Sequence, residues 1–460
     1  MFCLEESKKA MTKKHIAIDA LIIGLGKTGL SCVRHLKNKG VDNLMVTDTR
    51  SHPPALDYLT KQFPDVQFVA GELDAELCLL AEQIIVSPGV SLREPALQTA
   101  IKKGKDIVGD IEIFCREAKS PIIAITGSNG KSTVTTLLSL MAKADNKTIE
   151  TGANLGTPAL DLLDKSMPEF YVLELSSFQL DTTFSMNTLA SAVLNISSDH
   201  MDRYDDIEQY AAAKQKIYMG NGTAVINFDD ERVAAMQNSS KKTVSYSIDE
   251  DKQADFHLHR AGEHLWLCHG DEKIITTAEL GIKGKHNISN ALASMALANE
   301  MAVSYDAMRK ALKSFNGLKH RCQLVKNIDG VDWINDSKAT NVGASIAAIE
   351  GLNRPGKIIL IAGGDSKGAD ITTLLPVLTK HVKHLLLIGH DADRFVELVD
   401  NQISFEKMAS LQEAVEHAAT IGAAGDAVLL APACASLDMF EDYQQRGDSF
   451  ANAVMKLSEH

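Results

Sequence analysis

The stretch AITGSNGKST, Ala124 to Thr133, decides how this chain is read. It closes an apolar run, PIIAIT, and opens a helical one, STVTTLLSLMA. Gly130, Lys131 and Ser132 reproduce the end of a phosphate-binding loop, but the usual spacing G-x-x-x-x-G-K-[ST] asks for glycine at 125, where this chain has Ile125. Such a loop works because backbone N–H groups and a helix N-terminus surround phosphate oxygens. The lysine adds a point charge and the hydroxyl can ligate Mg²⁺. Those parts need Gly127, Gly130, Lys131 and Ser132, and all are present. The missing glycine changes how the loop begins, not the cradle at its end. The competing reading is a plain glycine turn that caps a helix; the Lys-Ser pair at the helix start weighs against it. Lys131 is expected on a solvent-facing loop.

A nucleotide site also needs an acid near the metal. FYVLE ends in Glu174, and NISSDHMDRY crowds Asp199, His200 and Asp202 just past another strand. Either feature alone reads as an ordinary strand end or polar loop. Following a phosphate loop, two strand ends predict one shared site at a sheet edge. Upstream, Gly24, Gly26 and Gly29 form G-x-G-x-x-G after a strand, and Asp48 ends the next strand. That fingerprint predicts a pyrophosphate on a helix N-terminus. NAD and a nucleoside-diphosphate sugar fit it equally. Downstream, NDSKATN (Asn335 to Asn341), GGDSKGAD (Gly363 to Asp370) and PACASLDMFEDYQQRG (Pro432 to Gly447) each follow a strand and mix small residues with lysine or hydroxyls. Taken singly, each is an ordinary turn.

The 460 residues are 45% hydrophobic and 23% charged, which suits a folded chain of several domains. A net charge of −13 argues against nucleic-acid and membrane partners, which call for a basic face. The seven cysteines form no C-x-x-C pair, and reduced thiols in a cytoplasmic protein are expected. No apolar run approaches the length of a membrane span. Short apolar strands alternate with helical patterns, which predicts an α/β chain with largely parallel sheets. Three blocks are expected: residues 1–110, with a loose leader over 1–14, then 111–317 and 318–460. FNGLKHR, Phe315 to Arg321, is the hinge candidate at the second boundary.

Together the motifs GLGKTG, DTR, SPG, TGSNGKST, ELSSFQL, DHMDRY, YAAAKQKIY, GKHNISNALA, NDSKATN, GGDSKGAD and PACASLDMFEDYQQRG resemble the Mur ligase family, in family order from about residue 15 to 450. That family's loop reads T-G-x-N-G-K-[ST], so Ile125 is no defect. The resemblance implies a Rossmann-like N-terminal domain for a UDP-linked substrate, a central P-loop ATPase-like domain and a C-terminal Rossmann-like domain. It implies an ATP-dependent amide ligase that adds D-glutamate to UDP-N-acetylmuramoyl-L-alanine through an acyl phosphate, with two Mg²⁺ ions. ATP contacts would be Gly127, Asn129, Gly130, Lys131, Ser132, Thr133, Asn287, Asn290, Arg321 and Asp336. The UDP anchor would be Gly26, Lys27, Thr28, Asp48, Thr49, Arg50, Ser87 and Asn154. The D-glutamate pocket would be Lys338, Thr340, Lys367, Ser436, Leu437 and Tyr443, the last standing where relatives often carry phenylalanine. Catalysis and metal binding would fall to Lys131, Ser132, Glu174, His200 and Lys214. In DIEQYAAAKQKIYMG local pattern alone makes Lys214 a surface lysine; the resemblance makes it a CO₂-derived carbamate that ligates Mg²⁺. A cytoplasmic monomer is expected. A sister ligase adding L-alanine to UDP-N-acetylmuramic acid, an NAD-dependent oxidoreductase and a regulatory P-loop switch are the alternatives.

Overall fold

The computed structural model describes residues 18–238, 241–352, 354, 357–400 and 402–457. The expected leader lies outside them. In chain order the strands that position the sites are β1 (Ile18–Ile23), β2 (Leu44–Asp48), β3 (Gln67–Ala70), β4 (Ala81–Val86), β5 (Asp106–Val108), β6 (Ile122–Thr126), β7 (Ile149–Ala153), β8 (Phe170–Glu174) and β9 (Ala190–Val193). They continue with β10 (Thr223–Asn227), β11 (Thr243–Ser247), β12 (Phe256–Ala261), β13 (His264–His269), β14 (Glu272–Thr276), β15 (Gln323–Ile328) and β16 (Val331–Asn335). The last are β17 (Ile358–Gly363), β18 (Val382–Ile388), β19 (Ser404–Lys407) and β20 (Ala427–Leu430). The helices that matter are α1 (Lys27–Asn38), α2 (Lys131–Ala144), α3 (Ile207–Gln215), α4 (Lys285–Glu300), α5 (Leu411–Ile421) and α6 (Tyr443–Leu457). The chain forms two compact units: the residues up to Thr126 with Lys147–Ser191 and Ala212–Thr223, and Gly127–Asn146 with Ala192–Ala211 and everything from Ala224 on.

In the first unit a parallel sheet has the order β3-β2-β1-β4-β5. The chain winds outward from β1 to β3, then returns to β4 on the other side of β1. That reversal is a topological switch point, where loops at the carboxyl ends of neighbouring strands part and a ligand can enter. The strands are β-branched and apolar, as IDALII shows, and Leu21, Ile23, Ile84 and Val86 are buried in one cluster. The same unit holds β6, β8 and β7 in parallel, with Ile125 and Ala153 both in register with Glu174.

In the second unit β10, β11 and β12 run parallel, and β12, β13 and β14 form an antiparallel meander. A further sheet has the order β15-β16-β20-β17-β18-β19, with only β15 antiparallel. Its core strands are buried on both faces: Ile358, Leu360 and Ala362 enter one cluster and Ile359 and Ile361 the other. A strand covered on both sides has no polar face to alternate with, which is why KIILIAGGD reads as one apolar run. The antiparallel strands are the departure from the parallel expectation. FHLHRA alternates apolar with His and Arg, as half-exposed strands do, whereas HLWLCH keeps its polar residues at its two ends.

The switch point rests on close backbone approach. A Cβ on Gly29 would stand 1.9 Å from Gly24 O, whereas one on Gly26 would meet nothing within 4 Å. Gly29→Ala should therefore lower stability by at least about 1–3 kcal/mol, the usual cost of overpacking. Gly26→Ala should stay within about 0.5 kcal/mol of the parent. Thermal midpoints of the two variants check this; equal midpoints would contradict it.

Candidate functional site

Ile125 lies inside β6 and is fully buried, so the loop begins only after Thr126. From there the chain needs glycine. Gly127 has φ +150 and Gly130 φ +83, and a Cβ on Gly130 would stand 2.4 Å from Asn290 Oδ1 of α4. The loop is held from below by the segment after β9. Asn129 N donates to Asn195 Oδ1 at 2.8 Å and Asn195 Nδ2 donates back to Asn129 O at 3.1 Å. Ser128 Oγ donates to Ser197 O and accepts from Ser197 N, both at 2.9 Å. Lys131 is the first residue of α2 and half-buried, not on a solvent-facing loop as expected. Its Nζ donates to Gly127 O at 2.7 Å and Ser128 O at 2.8 Å, so the charge is folded over the loop itself.

A cavity of about 650 Å³ opens beside this loop, within the roughly 300–1,000 Å³ common for small-molecule sites. Asn129, Gly130 and Thr133 line it from the loop and α2, Asn287 and Asn290 from α4, and Arg321 and Asp336 from the segments around β15 and β16. Arg321 Nη2 donates to Ser132 Oγ at 2.9 Å, which ties the expected metal-binding hydroxyl to the same wall. Asp336 is buried, and burial pushes its carboxyl up to about 6 despite the Cys322 thiol donating to it at 3.3 Å and the nearby Arg321.

Next to the loop, Asp199 is a hub that the sequence left in a crowd. Its Oδ2 accepts from Asn341 Nδ2 at 3.1 Å, its Oδ1 accepts from His200 N at 2.9 Å, and Lys367 Nζ lies 3.6 Å away. Burial raises its carboxyl, but His200, Lys367, Asn341 and Lys131 together bring it below the usual range. His200 sits at φ +59, uncommon for a residue with a Cβ. Burial takes its imidazole down to about 4, against the pull of Asp199 and with help from Lys367 and Lys131. The ring is neutral at neutral pH, the form that can ligate a cation.

In the first unit Glu174 closes β8 with 3% of its surface exposed. Oε1 accepts from Asn154 Nδ2 at 2.6 Å, while Oε2 is buried without a hydrogen-bond partner among the described residues. A buried carboxylate oxygen without a donor fits a cation ligand. Lys214, on α3, is 1% exposed, so the surface-lysine reading fails; its Nζ lies 3.4 Å from Thr126 Oγ1. Asn154, expected at the UDP anchor, lies just past β7 and donates to Glu174.

At the switch point Asp48 Oδ2 accepts from Leu25 N at 2.7 Å, and Arg50 binds both carboxylate oxygens through Nε at 2.9 Å and Nη2 at 2.7 Å. Partial burial opposes its charge, yet these donors hold Asp48 at about 2. Ser87 Oγ donates to Gly24 O at 2.9 Å, joining the ends of β4 and β1. Gly26 caps α1, which places Lys27 and Thr28 in its first turn, and Thr49 is exposed beside Arg50. The asserted anchor is thus a preorganised turn with one arginine already paired.

Of the expected acceptor residues, Lys338 lies over the Tyr443 ring at 3.8 Å and also lines the cavity. Thr340 N donates to Lys338 O at 2.8 Å. Lys367 stands at φ +52 with its N–H on Asp365 Oδ1 at 2.8 Å. Ser436 is buried and Leu437 is 70% exposed. What organises these loops was missed: Arg446, on α6, is 1% exposed. It donates to Ser337 Oγ and Ser337 O, both at 3.0 Å, to Cys434 O at 3.1 Å and to Ala435 O at 3.3 Å. Its position inside QQRG resembles a surface helix residue, and no local signal marks it.

Comparison with known proteins places all three parts of the chain in one family. The "Mur ligase MurD-like, N-terminal domain" matches residues 18–109, the "Mur ligase middle domain" residues 125–298 and the "Mur ligase, glutamate ligase domain" residues 320–434. The UDP-N-acetylmuramoylalanine–D-glutamate ligase of Nitrosococcus oceani is 46% identical over 96% of this chain and 97% of its own. That of Pseudomonas aeruginosa is 47% identical over 95% and 98%. Among solved structures, a pseudomurein peptide ligase type C from Methanothermus fervidus is 18% identical, with TM-score 0.63 over 95% of this chain and all of its own. UDP-N-acetylmuramate-alanine ligase from Thermotoga maritima is 15% identical, with TM-score 0.60 over 95% and 99%.

The Arg446 network gives a test that needs no ligand. Lysine keeps the charge but not the planar fork, so several buried carbonyls lose their donor. Arg446→Lys should cost about 2–4 kcal/mol, since hydrogen bonds to charged groups are worth about 1.5–3 kcal/mol each. A urea midpoint equal to the parent's would contradict this.

Proposed function

The chain belongs to the Mur ligase family, and on that premise we propose that it joins D-glutamate to UDP-N-acetylmuramoyl-L-alanine at the expense of ATP. The observation that carries the nucleotide part is the cavity lined jointly by the phosphate loop, α4, Arg321 and Asp336. The near full-length likeness to curated D-glutamate ligases supports the choice of substrates over the L-alanine alternative. An NAD enzyme or a P-loop switch leaves most of these parts unexplained. Three domains, with boundaries at residues 1–110, 111–317 and 318–460, suit the division of labour. A monomer working in the cytoplasm completes the reading; among the described residues no helix is long and apolar enough to cross a membrane.

The reaction has two steps. The free carboxylate of the lactoyl-L-alanine arm attacks the γ-phosphorus of ATP, the bond to the ADP oxygen breaks, and an acyl phosphate forms. The amine of D-glutamate then adds to the acyl carbon. The tetrahedral intermediate sheds a proton and inorganic phosphate to leave the amide. A carboxylate needs this activation because its oxygen is otherwise a poor leaving group. Phosphoryl transfer asks the protein for positioning and charge neutralisation more than for covalent help. Lys131 and the N–H groups at the start of α2 meet the transferred phosphoryl group. Asn287, Asn290, Arg321 and Asp336 orient the nucleotide. Lys338, Thr340, Lys367, Ser436, Leu437 and Tyr443 hold the acceptor, and Gly26, Lys27, Thr28, Asp48, Thr49, Arg50, Ser87 and Asn154 hold the UDP-linked substrate.

Mg²⁺, in two ions, would be held by Ser132, Glu174, His200 and a carbamate on Lys214, and supplies neutralisation of phosphate charge. The buried Oε2 of Glu174, which has no hydrogen-bond donor among the described residues, and the neutral ring of His200 fit that role. The burial of Lys214 supports the carbamate. A neutral amine adds to CO₂ and loses a proton, which turns the side chain from cation to anion and offers hard oxygen ligands.

The activity test is phosphate release that requires ATP, UDP-N-acetylmuramoyl-L-alanine and D-glutamate together. Release with L-alanine and UDP-N-acetylmuramic acid instead would overturn the assignment. Lys131→Ala should lower turnover at least about 100-fold in a variant that still unfolds cooperatively, as removal of a transition-state charge donor does.

Lys214 carries its own prediction. Lys214→Ala should lose most activity, and acetate or propionate should restore part of it. Carbon-13 NMR in labelled bicarbonate should show a carbamate resonance in the parent that the variant lacks. Full activity in the variant would remove the carbamate from the account.

A further inference from the structure

The C-terminal sheet carries a cluster that none of this chemistry uses. His384 on β18, Glu406 on β19 and His417 on α5 each offer one ligand atom, and the three atoms lie within 4.8 Å of one another. The topology puts them together. Leu386 is in register with Glu406, so both side chains point to the same face of the sheet, and His384 shares that face two residues earlier on β18. It is the face that α5 covers, where Leu386 packs with Leu411, Ala414, Val415 and Ala418. Ser410 Oγ caps α5 by accepting from Glu413 N at 3.1 Å, and this fixes the helix start that aims His417 at the strands.

Here we propose that His384, Glu406 and His417 form a binding site for a divalent transition-metal ion of the Zn²⁺ kind. Two imidazoles and a carboxylate are a common zinc donor set, with water as the fourth ligand. Imidazole favours zinc and its neighbours over Mg²⁺, which separates this site from the nucleotide chemistry. With bonds of about 2.0–2.2 Å, tetrahedral ligands stand roughly 3.3–3.6 Å apart. Here His417 Nε2 is 2.9 Å and His384 Nε2 is 3.4 Å from Glu406 Oε1. His384 Nε2 is buried, and among the described residues it makes no well-formed hydrogen bond. Burial lowers its basicity, against Glu406 and with help from His417 and Lys383, and so favours the neutral ring a metal needs. The competing cations are engaged elsewhere: Lys383 pairs with Asp426 at 2.8 Å and Lys407 with Asp393. The ion would fasten β19, the short edge strand, to β18 and to the helix above it, at the place where an unpaired sheet edge is weakest.

The experiment uses the purified full chain, stripped with chelator and kept in excess Mg²⁺ so that hard oxygen sites are filled. Calorimetric titration with ZnCl₂ should show one equivalent bound at micromolar concentration, and zinc should raise the thermal midpoint. Co²⁺ in place of zinc should give the intense visible bands of a tetrahedral site. His417→Gln and Glu406→Gln lie at accessible positions that leave the fold intact; each should weaken zinc binding at least tenfold and abolish the thermal shift, with ligase turnover unchanged. His384→Ala, the buried arm, should do the same. Equal zinc stoichiometry and affinity in the parent and in the two accessible variants would overturn the proposal, as would no binding by the parent at tens of micromolar zinc.

Discussion

Asp199 is a charge that has lost most of its water. Taking a carboxylate out of solvent costs several kcal/mol unless donors and cations replace the hydration. The replacements come from three places in the sequence: Asn341 after β16, Lys367 after β17 and the His200 backbone next door. Asn341 also exchanges hydrogen bonds with the side chain of Asn129 in the phosphate loop, at 3.3 and 3.5 Å. One buried anion therefore sets the spacing between the phosphate loop and two loops that carry acceptor candidates. Its removal would release Lys367 and Asn341 at once, which is why the arrangement behaves as a unit.

The phosphate loop shows the complementary constraint, the absence of side chains. Gly130 leaves room for Asn290 Oδ1, and Gly29 leaves room for Gly24 O. In both places a helix N-terminus has to come close to a neighbouring oxygen, the Asn290 side chain in one and the Gly24 backbone in the other, so that N–H groups stay free to face an anion. Polar anchoring and backbone proximity then do different jobs. The first holds loops in register, and the second keeps a binding surface open.

Much of this was legible in the residues. GLGKTG and TGSNGKST announce their turns because glycine is needed where the backbone turns left-handed or approaches closely. Glu174 could be picked out as a strand-terminal acid. The apolar runs KIILIAGG and AVLLAPA gave their strands away because both faces are covered. The meander of β12 to β14 was harder to see, since the polar alternation of β12 imitates a loop. Arg446 was invisible: QQRG has the look of a solvated helix, and only the four acceptors that converge on it reveal a buried role. The contact of Asn154 with Glu174 was not legible either, because sequence order does not say that the turn after β7 comes back to the end of β8.

The sequence by itself determined the α/β architecture, the two glycine turns and the chemical kind of the phosphate loop, because these follow from local backbone geometry and from side-chain periodicity along single elements. Tertiary structure decided the rest. Whether Lys214 is a surface cation or a buried amine depends on what covers α3. Whether Asp199 is a loop residue or a hub depends on residues more than a hundred positions away. The assembly of one cavity from the loop, α4, Arg321 and Asp336 is likewise a matter of packing. Burial and long-range pairing are properties of the folded surface, and no stretch of sequence carries them locally.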